Sequence, residues 1–201
     1  MLSFILFAVT LSVAVAVNTT RCCPPSVFEV TILQSGGSYI NGTSTRIDGF
    51  TNVFFDGDNN RITALSHSPG TDTIRTILDY NSKITYTIKT TASGLNCTST
   101  RMPADAQIIN PCVPSNATHM GTHYFGAASD RVLVNTWSYT TMPDYTTNEY
   151  IMTENDCTPV ARNMFYGNAF GGGVIMRLFT NFKRGISFPF MTQPPAQCTS
   201  S

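Results

Sequence analysis

Six cysteines are the most reactive side chains in this 201-residue sequence: Cys22, Cys23, Cys97, Cys112, Cys157 and Cys198. Free thiols attack substrates or hold metals; oxidised ones brace a fold. An even count in an exported chain reads as three disulfides, for which fifteen pairings exist and sequence selects none. Cys22 and Cys23 are adjacent, so each pairs elsewhere. Cys198 lies near the C-terminal end, so its bridge ties that end down. Bridges spanning such long loops each contribute ~2–4 kcal/mol, mainly by restricting the unfolded chain. The metal reading is weak, because there is no CxxC and His67, His119 and His123 complete no ligand pattern with the cysteines. With all six oxidised, no thiol nucleophile remains.

Other catalytic constellations are missing too. A serine hydrolase needs a serine in a GxSxG turn, and the glycine-rich run Gly171 to Gly173 has none. Carboxylate pairs suited to glycoside hydrolysis are few: Asp56/Asp58 and Glu154/Asp156 both fall in expected turns. Asp56-Gly57-Asp58-Asn59-Asn60 opens like a calcium-binding EF-hand loop. Arg61 then stands where that loop needs glycine, and His67 where it needs glutamate. A hairpin turn is the better reading, and no metal ligands are assigned. No enzyme is expected.

The elements that would hold a site are strands. Thr51 to Cys97 reads as an antiparallel meander, with strands at Thr51–Phe55, Arg61–Ser66, Thr73–Tyr80 and Lys83–Thr90. In the last of these Ile84, Tyr86 and Ile88 fall on one face and Lys83, Thr85, Thr87 and Lys89 on the other, the period of a half-buried strand. Val27–Leu33 is a strand before it, followed by a polar turn over Gln34–Ile47. Prolines 103, 111 and 114 make Ala92–Gly121 a long loop, with one helical turn at Ala104–Ile109. Strands resume at Arg131–Tyr139, Tyr145–Thr153 and Val160–Tyr166. Val174–Phe182 fits either period and is expected as a short helix. The proline-rich tail to Cys198 is extended.

Composition narrows the function. Net charge is zero and charged residues are 12%, with no basic patch, so nucleic acid is not an expected partner. Leu2–Val17 is nearly all apolar and Ala14-Val15-Ala16 is a small-x-small cleavage site. Residues 1–16 therefore read as a signal peptide and 17–201 as a single domain. Four sequons, at Asn18, Asn41, Asn96 and Asn116, fit a glycosylated secretory protein.

Several landmarks follow one another in a fixed order. Cys23-Pro24 precedes a strand opening Val27-Phe28-Glu29. An Asp56 turn leads into Asn60-Arg61-Ile62. Asp79-Tyr80 ends a strand ahead of Ile84-Thr85-Tyr86-Thr87-Ile88 and Cys97. Trp137 lies in a later strand, and Cys157-Thr158-Pro159 and Pro194-Pro195-Ala196-Gln197-Cys198 close the series. In this order the landmarks resemble the ependymin-related family, whose cysteines correspond to Cys22 or Cys23, Cys97, Cys157 and Cys198; Cys112 has no assigned counterpart.

The resemblance implies a secreted or lysosomal glycoprotein, often dimeric. Its expected fold is all-β with minor α: two curved antiparallel sheets form a half-barrel around a hydrophobic pocket, similar to bacterial lipoprotein carriers. It also implies fatty-acid or lipid binding and attributes calcium to the family, though no cofactor is required. The pocket candidates are Ile84, Tyr86, Ile88, Val132, Val134, Trp137, Tyr150 and Met152; taken singly each reads more readily as core, and the resemblance turns the set towards a pocket. The competing expectation is calcium-dependent adhesion to extracellular matrix without a small ligand.

Overall fold

The computed structural model describes residues 21–67, 72–91, 94–142, 145–168 and 171–199. The expected signal peptide and the Asn18 sequon lie outside these residues.

The fold is all-β. Among the described residues eleven strands run in chain order: β1 (Val27–Ile40), β2 (Thr43–Asp56), β3 (Arg61–His67), β4 (Ile74–Asp79), β5 (Ile84–Thr91), β6 (Gly94–Arg101), β7 (Thr118–Phe125), β8 (Val132–Thr141), β9 (Thr146–Thr153), β10 (Pro159–Asn168) and β11 (Gly171–Arg184). All are antiparallel and lie in one open sheet of order β6-β5-β4-β3-β2-β1-β11-β10-β9-β8-β7. The expected pair of sheets is thus two meanders, β1–β6 and β7–β11, hydrogen-bonded into one through β1 and β11.

Four local expectations are corrected. Gln34–Ile47 is not a polar turn: β1 and β2 run through it, and only Asn41 (φ 49°) and Gly42 (φ 82°) turn the chain. Positive φ at both central residues is the hairpin geometry that suits twisted strands, and Asn-Gly is its preferred pair. Val174–Phe182 is strand, not helix. It lies inside β11, whose backbone bonds go to β1 on one side and β10 on the other, so the ladder decides between two equally good periods. The loop between β5 and β8 is shorter than expected, because β6 and β7 occupy its ends. Ala104–Ile109 forms no helix and holds only a turn, with the Ala106 amide donating to the Pro103 carbonyl at 3.0 Å.

Directly paired residues share a face, so the registers define two sides. One carries Phe28, Val30, Ile32, Val53, Phe55 and Ile62; the other carries Glu29, Thr31, Phe54, Thr63 and Ile77. We call them the Phe28 face and the Glu29 face. The Phe28 face is covered at one end by residues 21–26 and by the strap between β6 and β7. Cys22 and Val113 pack on Trp137 and Met152, and Ile108 packs beside Phe28, Val30 and Phe55. The Phe28 and Phe55 rings stack 5.0 Å apart.

The C-terminal segment crosses the Glu29 face instead. Ser187 donates to Glu29 through its amide (2.8 Å) and its hydroxyl (2.6 Å). The chain passes a short 3-10 turn at Pro189–Thr192 and a final turn, α1 (Ala196–Thr199), before Cys198 packs with Ile77, Tyr86 and Ile88.

Three disulfides fasten both covers. Cys22–Cys157 and Cys23–Cys112 hold the N-terminal segment and the strap, and Cys97–Cys198 holds the C-terminal segment to β6. Cys112, which the resemblance left unassigned, is the partner of Cys23. Among the described residues no cysteine is free, and no helix is long and apolar enough to cross a membrane.

Candidate functional site

The eight candidate pocket residues fall in separate places. Ile84, Tyr86 and Ile88 lie on the Glu29 face under the C-terminal segment. Trp137, Tyr150 and Met152 lie on the Phe28 face at the β8–β9 end, under Cys22 and Val113. Val134 is buried on the Glu29 side of β8, and Val132, at the start of that strand, is exposed. Trp137, Tyr150 and Met152 therefore come together, and the other five do not join them.

The Phe28 face away from its cover holds a group the sequence left unremarked. Across β2, β1, β11 and β10 the registers align Ile47, Gly36, Ile175 and Met164 in one row. The next row on the same face is Gln34, Arg177, Arg162 and Tyr150. Beyond that lie Ile32 and Phe179, with Phe179 6.1 Å from the Tyr150 ring. Ile47, Ile175, Met164 and Tyr166 are half-buried and, among the described residues, belong to none of the packed clusters. Two glycines allow this layer to form. A side chain on Gly36 would meet the Val174 carbonyl oxygen at 2.2 Å, and one on Gly173 would meet the Tyr166 hydroxyl at 2.5 Å. The Gly171–Gly173 run thus serves close strand packing and makes room for a ring.

Two arginines sit side by side within this layer. Arg162 donates to the Asn148 amide oxygen through Nη2 (2.8 Å) and Nε (3.2 Å). Asn148 is fully buried and is itself held by the Thr146 carbonyl at 3.0 Å. Arg177 pairs in register with Arg162 and is half-buried. Burial, and then the neighbouring Arg162 charge, pull the Arg177 pKa below the usual guanidinium range. Loss of water pushes the Tyr150 phenol up to about 12, Arg162 pulling it down and Tyr139 adding a smaller upward push.

Over β1, β2, β10 and β11 the Glu29 face mixes polar residues with the exposed apolar side chains of Leu33, Phe50, Phe165, Val174 and Met176. Open clefts lie elsewhere, including one of about 570 Å³ beside Leu95, Asn96 and Cys97 on β6. One of about 370 Å³ runs beneath the strap between Pro24, Phe55, Ile108 and Ile109. Another, about 200 Å³, lies by Phe54 and Phe188 on the Glu29 face.

The candidate calcium loop is a hairpin turn between β2 and β3. Asp56 is buried, and its carboxylate accepts from the Asn59 side chain at 2.9 and 3.0 Å and from the Asn59 amide at 3.2 Å. Among the described residues no three His, Cys, Asp or Glu side chains gather as a metal site. The sequon asparagines Asn41, Asn96 and Asn116 are all exposed.

Comparison with known proteins agrees with the landmarks. Residues 68–198 match the ependymin family profile. The chain is 30% identical to ependymin-related protein 2 of Haliotis asinina over 210 residues, covering 98% of each sequence. In architecture it is similar to an uncharacterized conserved protein from Thermus thermophilus, with TM-score 0.53, 9% identity and coverage of 86% of this chain and 88% of that one. A LolA superfamily protein from Nitrosomonas europaea superposes with TM-score 0.40 and 7% identity, covering 86% and 93%.

Proposed function

The chain belongs to the ependymin family, and from that premise we propose that it is a secreted glycoprotein that binds a hydrophobic small molecule, a fatty acid or another lipid, on the Phe28 face of its sheet. The observation that carries this reading is the row Ile47, Ile175 and Met164, apolar and half-buried outside every packed cluster. Trp137, Tyr150 and Met152 continue the same face towards β8. Burial of a ligand's hydrocarbon there would contribute ~0.8 kcal/mol per methylene. Methionine and aromatic side chains adapt to acyl chains of varied shape.

Three disulfides, exposed sequons and a low charge density support export. The reading is of a carrier and not of an enzyme: the acidic and thiol groups near the face are spent on turns and bridges. We take residues 17–201 as its single domain.

Purified protein, stripped of lipid, should bind a fluorescent fatty acid at micromolar concentration. Ile175→Asp should weaken that binding at least tenfold. Equal binding by wild type and variant, or none by either, would remove the Phe28 face as the site. Native mass spectrometry of material from its own source would report bound lipid, glycans and subunit number together.

A further inference from the structure

Among the described residues five carboxylates lie in strands, Glu29, Asp48, Asp56, Asp79 and Glu149, and all fall on the Glu29 face. The Phe28 face of the strands carries four long cations and none of these acids. Two of the four are answered from loops. Lys89 meets Asp72 at 2.7 Å, and Arg184 meets Asp156 at 3.7 Å. Arg162 and Arg177 meet no carboxylate among the described residues. Arg162 spends two donors on Asn148, and the guanidinium of Arg177 has no hydrogen-bond partner among the described residues.

Two like charges held side by side between apolar rows are unfavourable in the empty protein. A guanidinium does not escape by losing its proton, so half-burial leaves it charged with part of its hydration removed and no carboxylate in its place. An anion between them would remove the repulsion and satisfy the open donors with charge-assisted bonds. Those donors border the apolar row of Ile175 and Met164 on one side and Phe179 on the other. An apolar tail and a negative head would thus find their complements on the same face.

We propose that Arg177 and Arg162 form the head-group subsite of the lipid-binding face, and that the ligand is an amphiphile with an anionic head, a carboxylate or a phosphate. This rests on the function proposed above and narrows it. Arg177 is the principal donor; Arg162, positioned by Asn148, is the second.

The test compares oleate, lysophosphatidate and the neutral oleyl alcohol on the full chain, with N-phenyl-1-naphthylamine as a neutral apolar probe. Wild type should bind an anionic amphiphile at least tenfold more tightly than oleyl alcohol, and added salt should erode that margin. Arg177→Met should abolish the margin while leaving the neutral probe bound as before. Whichever anion binds more tightly identifies the head group. Equal binding of the anions and the alcohol would overturn the subsite and leave the lipid face standing. Failure of every apolar probe would overturn both. Should Arg177→Met not fold, the salt dependence of wild type and the Arg162→Gln variant decide the question in the same way.

Discussion

Cys198 is bonded to Cys97 on the edge strand β6 and packs on Ile77, Tyr86 and Ile88. The bridge therefore closes a long loop and also presses the C-terminal segment onto the Glu29 face. The Cys97→Ser/Cys198→Ser double variant should lose ~2–4 kcal/mol through the unfolded chain alone. Denaturant melts of the non-reduced proteins would measure it. A midpoint equal to wild type would mean the segment stays docked without its covalent tie.

Trp137 is 5% exposed and lies among Cys22, Val113 and Met152, with its ring centre 4.7 Å from that of His119. Trp137→Ala should cost ~3–5 kcal/mol. Its indole N–H is buried without an acceptor among the described residues, so Trp137→Phe, which deletes that donor, should cost much less. Thermal melts of the two variants should separate clearly; equal losses would show that ring size alone matters here.

Asp79 is buried and accepts from Arg61 Nη2 at 2.9 Å and from the amides of Asn81 and Ser82 at 3.0 and 3.1 Å. It thus fixes both the β3–β4 pair and the turn into β5. Asp79→Ala strands the Arg61 charge and two amides, and should cost ~3–5 kcal/mol. Arg61→Ala should cost less, because the two amides still satisfy Asp79. Urea titration of both variants gives the order directly.

The Tyr150 phenol titrates at about 12, mainly because burial disfavours its charged form. In the unfolded chain it titrates near ~10. Its contribution is then complete below that lower value and is lost as the pH rises towards the upper one. Wild type should destabilise between these values more steeply than Tyr150→Phe. Ultraviolet titration of the phenols should lose its latest-ionising member in the variant, and an unchanged titration would place Tyr150 in water.

How far the sequence can be read depends on which signal is local. Alternation in Ile84, Tyr86 and Ile88, and turn residues such as Asp56-Gly57, locate β5 and the β2–β3 hairpin. Asn41-Gly42 is an equally good hairpin pair, but Gly36 and Gly37 in β1 resemble loop and mask the strand that leads into it. β11 satisfies two periods at once, and only its hydrogen-bonded neighbours decide for strand. The candidate pocket suffers most. Faces of different strands align only through register, and register is a long-range property. Arg162 and Arg177 are fifteen residues apart in sequence and look unrelated until β10 and β11 are laid together.

The strand carboxylates of the Glu29 side are matched on that same side by the strand cations Arg46, Arg61, Arg75, Arg101 and Lys183, so that side is electrically balanced. The opposite side keeps Arg162 and Arg177 without a carboxylate among the described residues. The molecule's imbalance of charge therefore gathers on the side proposed to take the ligand's head, where a dissolved anion would be drawn before any contact forms.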